Sequence, residues 1–386
     1  MKKILFVINH MNVGGIQKSL LELLKALVEE GEYDVSLFCC TQKGAYMERI
    51  PDAVHVLPEN PYARVPEQAL GTCRKQGKKY YLFRAFASLW SRMLGKAFPA
   101  RLLCAKIGML PGEYDVAISY SQPITDREFC NLTNEIVLKC CRAKKKATFV
   151  HCDFGSYGGN TRRNRRLYKK FDAIAAVSDS VGRRFAEIVP AVKDRVQTVY
   201  NCCDTKEILR MAEDAPVAYQ KPTVVTVARL SPEKGLLRCV PLLARLRDEG
   251  VEFEWHVVGG GNLQRPLESA IEEHGMQGRI ILEGEQTNPY RYVKNADYLL
   301  LASFHEAAPM VFDEAMTLSV PILTTNTLSA KELVAQRGVG MVCDGDDASL
   351  YTLLKDALTQ KNEGLLSHTP SNAQCIAQFR ALCADH

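Results

Sequence analysis

Short apolar runs alternate with helix-forming runs along almost the whole chain, and that order leaves few folds open. Ile4–Ile8 reads as a strand, Ile16 to Val28 as an amphipathic helix with leucines at 20, 21, 23, 24 and 27, and Asp34 to Cys40 as a second strand. Asp115–Ser119, Ala147–Val150 and Ala173–Val177 continue the pattern, and a second series runs from Thr223 to about Leu358. Strands that alternate with helices predict parallel sheets joined by crossover helices. Thr205 to Pro222, polar and with prolines at 216 and 222, reads as a linker between two such domains. A length of 386 residues suffices for both. A composition of 47% hydrophobic and 24% charged residues is that of a globular chain.

The chemistry concentrates in the second series. Thr223 to Gly235 is a strand followed by a loop carrying Arg229 and Lys234, five residues apart. Trp255 to Gly261 is a strand that ends in three glycines, where backbone amides can approach an anion closely. Asp297 to Ser303 is a further strand, and Glu306 stands just past its carboxyl end. Pro309 marks a helix start, which places Glu314 about one and a half turns inside that helix. Both carboxylates can then face one pocket at the carboxyl edge of a parallel sheet, where α/β proteins bind ligands. Such a set suits a sugar nucleotide: cations for the diphosphate, glycines that admit it, and carboxylates that accept hydrogen bonds from sugar hydroxyls.

With these residues in order, the chain resembles the retaining glycosyltransferases of family 4. The resemblance rests on Ala228-Arg-Leu through Glu-Lys-Gly235, Val258-Gly-Gly-Gly261, Asn288-Pro-Tyr290 and the Glu306 to Glu314 pair, which matches that family's E-x7-E signature. It implies the GT-B fold class, α/β, with two Rossmann-like domains whose parallel sheets face each other across a cleft. The implied division is an amino-terminal acceptor domain over 1–204, a linker over 205–222 and a donor domain over 223–370, with a final helix over 371–386 returning to the first domain.

The resemblance also implies roles. Arg229 and Lys234 hold the β-phosphate, Glu306 meets hydroxyls of the donor sugar, and Glu314 binds the ribose. Ala307, Ala308, Pro309 and Met310 form the helix start, whose backbone amides suit anionic or hydroxyl oxygens. Gly260 belongs to the phosphate loop, and Asn288 with Tyr290 lines the base end. In the first domain, Gly14-Gly15 opens a helix where phosphate or acceptor approaches, and His151 reaches the donor sugar. Two departures stand out: Ala307 and Ser319 occupy positions where that family usually carries glycine.

The expected reaction moves a hexose or N-acetylhexosamine from a UDP- or GDP-sugar to a saccharide or lipid-linked acceptor, in cell-surface polysaccharide synthesis and without a metal. A non-catalytic scaffold of the same fold is the competing reading, which the intact charged motif opposes. A nicotinamide-dependent oxidoreductase fits less well, because Asn12-Val-Gly-Gly-Ile16 lacks the G-x-G-x-x-G spacing. Asp344-Gly-Asp346 reads as a solvated turn and helix cap rather than a metal pair.

Fourteen cysteines include no C-x-x-C, and several lie in strand-like runs where cysteine acts as a small hydrophobe. No apolar run approaches the ~18 residues that span a bilayer, so the reading is of a cytoplasmic protein at the inner membrane face. Residues 68–112 carry nine Lys or Arg and no Asp or Glu, interleaved with aromatics. Two readings stay open there: a surface for an anionic membrane, or an insertion whose aromatics pack inward. No nucleic-acid motif accompanies the charge.

Overall fold

The computed structural model describes residues 1–156, 158–360 and 370–384. The chain divides into two compact units, Met1–Cys202 together with the chain from Ser371 onward, and Cys203–Pro370. Residues 361–369 of the expected donor domain, and 385–386 of the expected final helix, lie outside the described residues.

The first unit is built on seven strands, β1 (Lys2–His10), β2 (Tyr33–Thr41), β3 (His55–Val56), β4 (Tyr114–Ser119), β5 (Ala143–Val150), β6 (Ala173–Ala176) and β7 (Val196–Thr198). They pair in parallel in the order β3-β2-β1-β4-β5-β6-β7. The second unit holds β8 (Thr223–Val227), β9 (Glu254–Val258), β10 (Ile280–Gly284), β11 (Tyr298–Leu301), β12 (Ile322–Thr325) and β13 (Gly340–Cys343), also all parallel, in the order β10-β9-β8-β11-β12-β13. In each sheet the chain starts near the middle, builds outward to one side and then crosses back. The strand order therefore reverses between β1 and β4 in one sheet and between β8 and β11 in the other. At such a switch point the two following loops leave in opposite directions and open a crevice at the carboxyl edge.

Each expected strand coincides with an observed one, because runs buried on both faces are continuously apolar, although Ala173–Val177 and Asp297–Ser303 overrun β6 and β11 at their ends. Ile4 to Ile8 of β1 are all shut away from solvent. The helix Gly15–Glu30 buries the five leucines of its stripe and ends at Gly31, whose φ of 69° lets its amide close back on the Leu27 carbonyl. All fourteen cysteines are free thiols, and eleven are buried within the packing. Burial pushes the Cys39 thiol up to about 12.

The first eight residues of the expected linker form a helix. Asp204 caps the helix Thr205–Ala212 by accepting from the Glu207 amide at 3.0 Å. Ile208 and Ala212, four residues apart on one face, are buried with Cys203 and Tyr290. Beyond it the strand-like remainder is laid along the second unit, with the Val217 amide on the Arg291 carbonyl and the Tyr219 hydroxyl on the Tyr292 carbonyl. Two prolines suggested a free connection, but an apolar pair at helical spacing found a core to enter.

The final helix, Asn372–Cys383, packs in the first unit. Phe379 stacks on Phe6 at 5.9 Å, the Lys145 ammonium donates to the Ala384 carbonyl, and the Arg380 guanidinium pairs with Glu32 and Glu30.

Candidate sugar-nucleotide site

The loop after β8 and the loop after β11 meet at the switch point of the second sheet, and glycine makes the meeting possible. Gly235 adopts φ 65°, and a Cβ there would stand 2.2 Å from the Ala302 carbonyl oxygen. The Phe304 amide donates to the Glu233 carbonyl at 2.8 Å, and the Arg238 guanidinium donates to the Ala302 carbonyl while lying 4.3 Å over the Phe304 ring. This clamp holds Lys234 against Glu306, and the two side chains form an ion pair. The Ser303 hydroxyl also donates to Glu306, at 2.8 Å. Both partners are mostly buried, with exposures of 18% and 13%. A buried cation held by a single carboxylate keeps hydrogen-bonding capacity for an incoming anion.

Arg229 differs sharply. Its side chain is 75% exposed and reaches Glu233 at 3.5 Å. Glu233 itself is fixed by the Ser231 hydroxyl at 2.6 Å. Partial burial pushes that carboxyl up, but Ser231, its own amide, Arg229 and Lys234 outweigh this and hold it below its ordinary value. Arg229 is thus a mobile cation beside a fixed one, worth little to the fold.

The three glycines after β9 divide by role. A Cβ on Gly259 would stand 1.9 Å from the Ala228 carbonyl oxygen, and one on Gly261 would stand 2.4 Å from that of Leu230. Those two glycines let the β8 and β9 loops bond as backbone, Ala228 to Val258 and Leu230 to Gly260. Of the three, Gly260 alone has room for a Cβ, which would meet Glu285 in ordinary contact at 3.6 Å. The sequence reading gave the whole run to phosphate access; in the structure two of three serve loop packing.

After Ser303 the chain turns through Ala307 and Ala308 into the helix Met310–Thr317, with Pro309 at its N-cap and no side-chain cap on the amides. Glu314 is buried on this helix, as are Ala307 and Met310. Asp313 beside it has part of its surface exposed, yet its carboxyl is closely enclosed. Burial pushes it up to about 7, the Arg337 guanidinium opposing and Glu314 adding to the rise. Ser319 follows the helix at φ 57°, a left-handed conformation that suits glycine. Asp346 caps the helix Asp347–Thr359, accepting from the Ser349 amide at 2.9 Å and hydroxyl at 2.8 Å. Among the described residues no group of three or more His, Cys, Asp or Glu could hold a metal ion.

Asn288 and Tyr290 lie against the helix Thr205–Ala212, whose cluster also reaches the end of the Glu314 helix through Thr317 and Leu318. The Asn288 amide donates to the Met211 carbonyl at 2.7 Å, and Tyr290 is buried against Cys203, Ile208 and Ala212. Both anchor the helix Thr205–Ala212.

Three of the predicted residues lie in the first unit. Gly14 is the N-cap of the helix Gly15–Glu30, and a Cβ there would meet the Gln17 side chain at 2.6 Å; Gly15 has nothing within 4 Å. His151 follows β5 and is buried, 4.7 Å from the Tyr120 ring and 5.5 Å from Phe149. Desolvation pushes its imidazole down to about 4, against a hydrogen bond to the Tyr120 backbone, so it is neutral at pH 7. Its Nε2 has no hydrogen-bond partner among the described residues.

Gln122, which the sequence did not single out, holds this turn. Its Oε1 accepts from the amides of both His151 and Cys152 at 2.9 Å, which leaves its Nε2 buried and without a partner among the described residues. A glutamine after a strand carries no local signal of such a contact, made across 29 residues.

The fold and site now meet the known proteins. Residues 210–374 match the family described as "Glycosyl transferases group 1". That match spans most of the second unit, which resembles the group 1 glycosyl transferases. The chain is 25% identical over 202 residues to the N-acetylgalactosamine-N,N'-diacetylbacillosaminyl-diphospho-undecaprenol 4-alpha-N-acetylgalactosaminyltransferase of Campylobacter jejuni, covering 50% of this chain and 54% of that one. It is 27% identical to the lipopolysaccharide 1,6-galactosyltransferase of Salmonella typhimurium, over 36% of this chain and 43% of that one. It thus spans about half the length, or less, of these curated relatives. In fold it resembles Anabaena Alr3699/HepE in complex with UDP and glucose, at a TM-score of 0.65 and 17% identity, over 99% of this chain and 95% of that one. The likeness extends through both units, which share the GT-B architecture of two parallel-sheet α/β domains.

Proposed function

We propose that the protein is a retaining glycosyltransferase that moves a hexose or N-acetylhexosamine from a UDP- or GDP-sugar to a saccharide or lipid-linked acceptor in the synthesis of a cell-surface polysaccharide or lipopolysaccharide. The observation that carries the reading is the Lys234–Glu306 pair, mostly buried at the switch point of the second sheet. As the glycosidic bond breaks, negative charge grows on the β-phosphate. A cation already fixed at that place needs no reorganisation to meet it, which is where side chains lower a barrier most. Glu306, positioned by Ser303, then accepts from a donor-sugar hydroxyl. Glu314, inside the following helix, accepts from the ribose, and Arg229 swings onto the diphosphate from solvent. Gly260 leaves room for the phosphates, and the backbone N–H of Met310 at the start of the site helix suits an anionic oxygen.

The likeness to a lipopolysaccharide galactosyltransferase and to a diphospho-undecaprenol-linked N-acetylgalactosaminyltransferase supports a lipid-linked or lipopolysaccharide acceptor, and the fold neighbour in complex with UDP and glucose supports a UDP-sugar donor. In this reading Lys234 and Arg229 supply the positive charge and no metal is needed. A lipid-linked acceptor would bring the enzyme to an anionic membrane at its cytoplasmic face. The test is transfer from a panel of nucleotide sugars, with the new linkage read by NMR. The expected product keeps the donor's anomeric configuration and forms undiminished in a chelator. An inverted linkage, or the absence of transfer from every donor, would overturn the reading.

A further inference from the structure

The helix Lys78–Leu94 carries a second apolar face on its outer side. Tyr80, Ala87 and Ser91 face the first unit's interior. Leu82, Phe86, Leu89 and Met93, spaced i, i+4, i+7 and i+11, share one face and are exposed, three of them by more than 60%. Phe98 extends this face and lies 6.5 Å from Phe86, with Trp90 between them at 4.9 and 5.6 Å. Packing against the protein cannot explain such a stripe, because packing would turn it inward.

Charge indicates the partner. Of the nine cations in residues 68–112, Lys96 is buried on the Cys130 carbonyl and Arg84 donates to the Gln68 and Phe129 carbonyls. The other seven, Arg74, Lys75, Lys78, Lys79, Arg92, Arg101 and Lys106, are all exposed, with no acidic residue among them in the segment. An apolar face ringed by cations fits the headgroup boundary of an anionic bilayer, with hydrocarbon below and phosphates at the rim. Among the described residues no helix is long and apolar enough to cross a membrane, so this one would lie in the surface.

We propose that Leu82, Phe86, Leu89 and Met93 insert into an anionic membrane, with Lys78, Lys79 and Arg92 at the phosphates. This deepens the membrane side of the reading above, and makes apolar insertion, beyond adsorption of charge, the source of attachment.

Trp90 is a built-in probe, since the other tryptophan, Trp255, is fully buried in the second unit. The full chain is mixed with vesicles of phosphatidylcholine alone, or with phosphatidylglycerol in equal part, carrying bromine on the acyl chains. Co-sedimentation with the anionic vesicles and quenching of Trp90 are expected. Leu82→Glu with Leu89→Glu, at exposed positions that leave the fold intact, should abolish the quenching and lower partitioning at least tenfold, from roughly the burial value of one leucine. Lys78→Glu with Lys79→Glu should weaken binding mainly at low salt. Binding without quenching, or unchanged binding of the leucine variant, would overturn insertion. So would a wild-type dimer that ignores vesicles and that the leucine variant renders monomeric, which would assign the face to a second copy. Thermal stabilisation by nucleotide sugars, followed in parallel, reports on the donor site alone, so failure of either idea is seen separately.

Discussion

The two sheets reverse their strand order in the same way, yet their carboxyl edges carry opposite chemistry. At the edge of β8 and β11, Lys234, Glu306 and Arg229 are charged, and the fixed pair is tied by Ser303 and a close backbone clamp. At the edge of β4 and β5 the buried groups are neutral, His151 being enclosed by Tyr120 and Phe149 and Gln122 spent on two backbone amides, while the charge of Asp153 just beyond is paired with Arg184. One topology thus offers a place for a ligand twice, and the side chains decide what kind of ligand suits each. The charged edge suits a diphosphate, and the neutral edge suits hydroxyls.

The largest effect should come from removing the fixed cation. Lys234→Ala should lower kcat about a hundredfold or more, the usual consequence of losing one preorganised partner of transition-state charge. Arg229→Ala, at an exposed and weakly held position, should cost about tenfold. Equal losses in the two variants, measured by steady-state kinetics, would break the distinction between fixed and mobile cations.

The neutral edge should reveal itself through acid sensitivity. The folded imidazole of His151 titrates near 4, below the ~6.5 of an unfolded histidine, so the unfolded chain binds the proton first. Stability is therefore unaffected above about pH 6.5 and is lost as pH falls from there toward 4. The loss from this group is about 2 kcal/mol at pH 5. Urea unfolding of the first unit, followed through Trp90, should show that loss in the wild type, and His151→Gln should remove it. An identical pH dependence in both would contradict the neutral, desolvated state.

These contrasts explain what could be read from the residues alone. Ile4–Ile8, Asp34–Cys40 and the leucine stripe near the amino terminus were legible because buried elements repeat their apolar residues at fixed periods. Lys234, Glu306 and Glu314 were legible because charge at set spacing after a strand is rare without cause. Gln122 was not, since its amide acts through a contact distant in sequence. The packing of Tyr290 against Cys203, Ile208 and Ala212 was not legible either, because those partners lie far back in the chain. In residues 68–112 the sequence showed cations and aromatics, but periodicity defines a face without saying which way it points. The structure turned that face outward and took Arg84 and Lys96 inward.

The smallest effect concerns the end of the site helix. Ser319 holds φ 57°, so Ser319→Gly should relieve strain and stabilise the second unit by about 0.5–1 kcal/mol, seen as a rise in its unfolding midpoint without change in kcat. Destabilisation by glycine would mean that the serine side chain matters more than its backbone.

The central claim is that a nucleotide sugar is held at the charged edge. Calorimetric titration of the full chain with UDP- and GDP-sugars tests it most directly. The account predicts saturable binding of at least one donor, weakened about tenfold or more by Lys234→Ala and by Glu314→Ala, and unaffected by Leu82→Glu on the first unit. Binding of equal strength in all of these variants, or none by any nucleotide sugar, would contradict it.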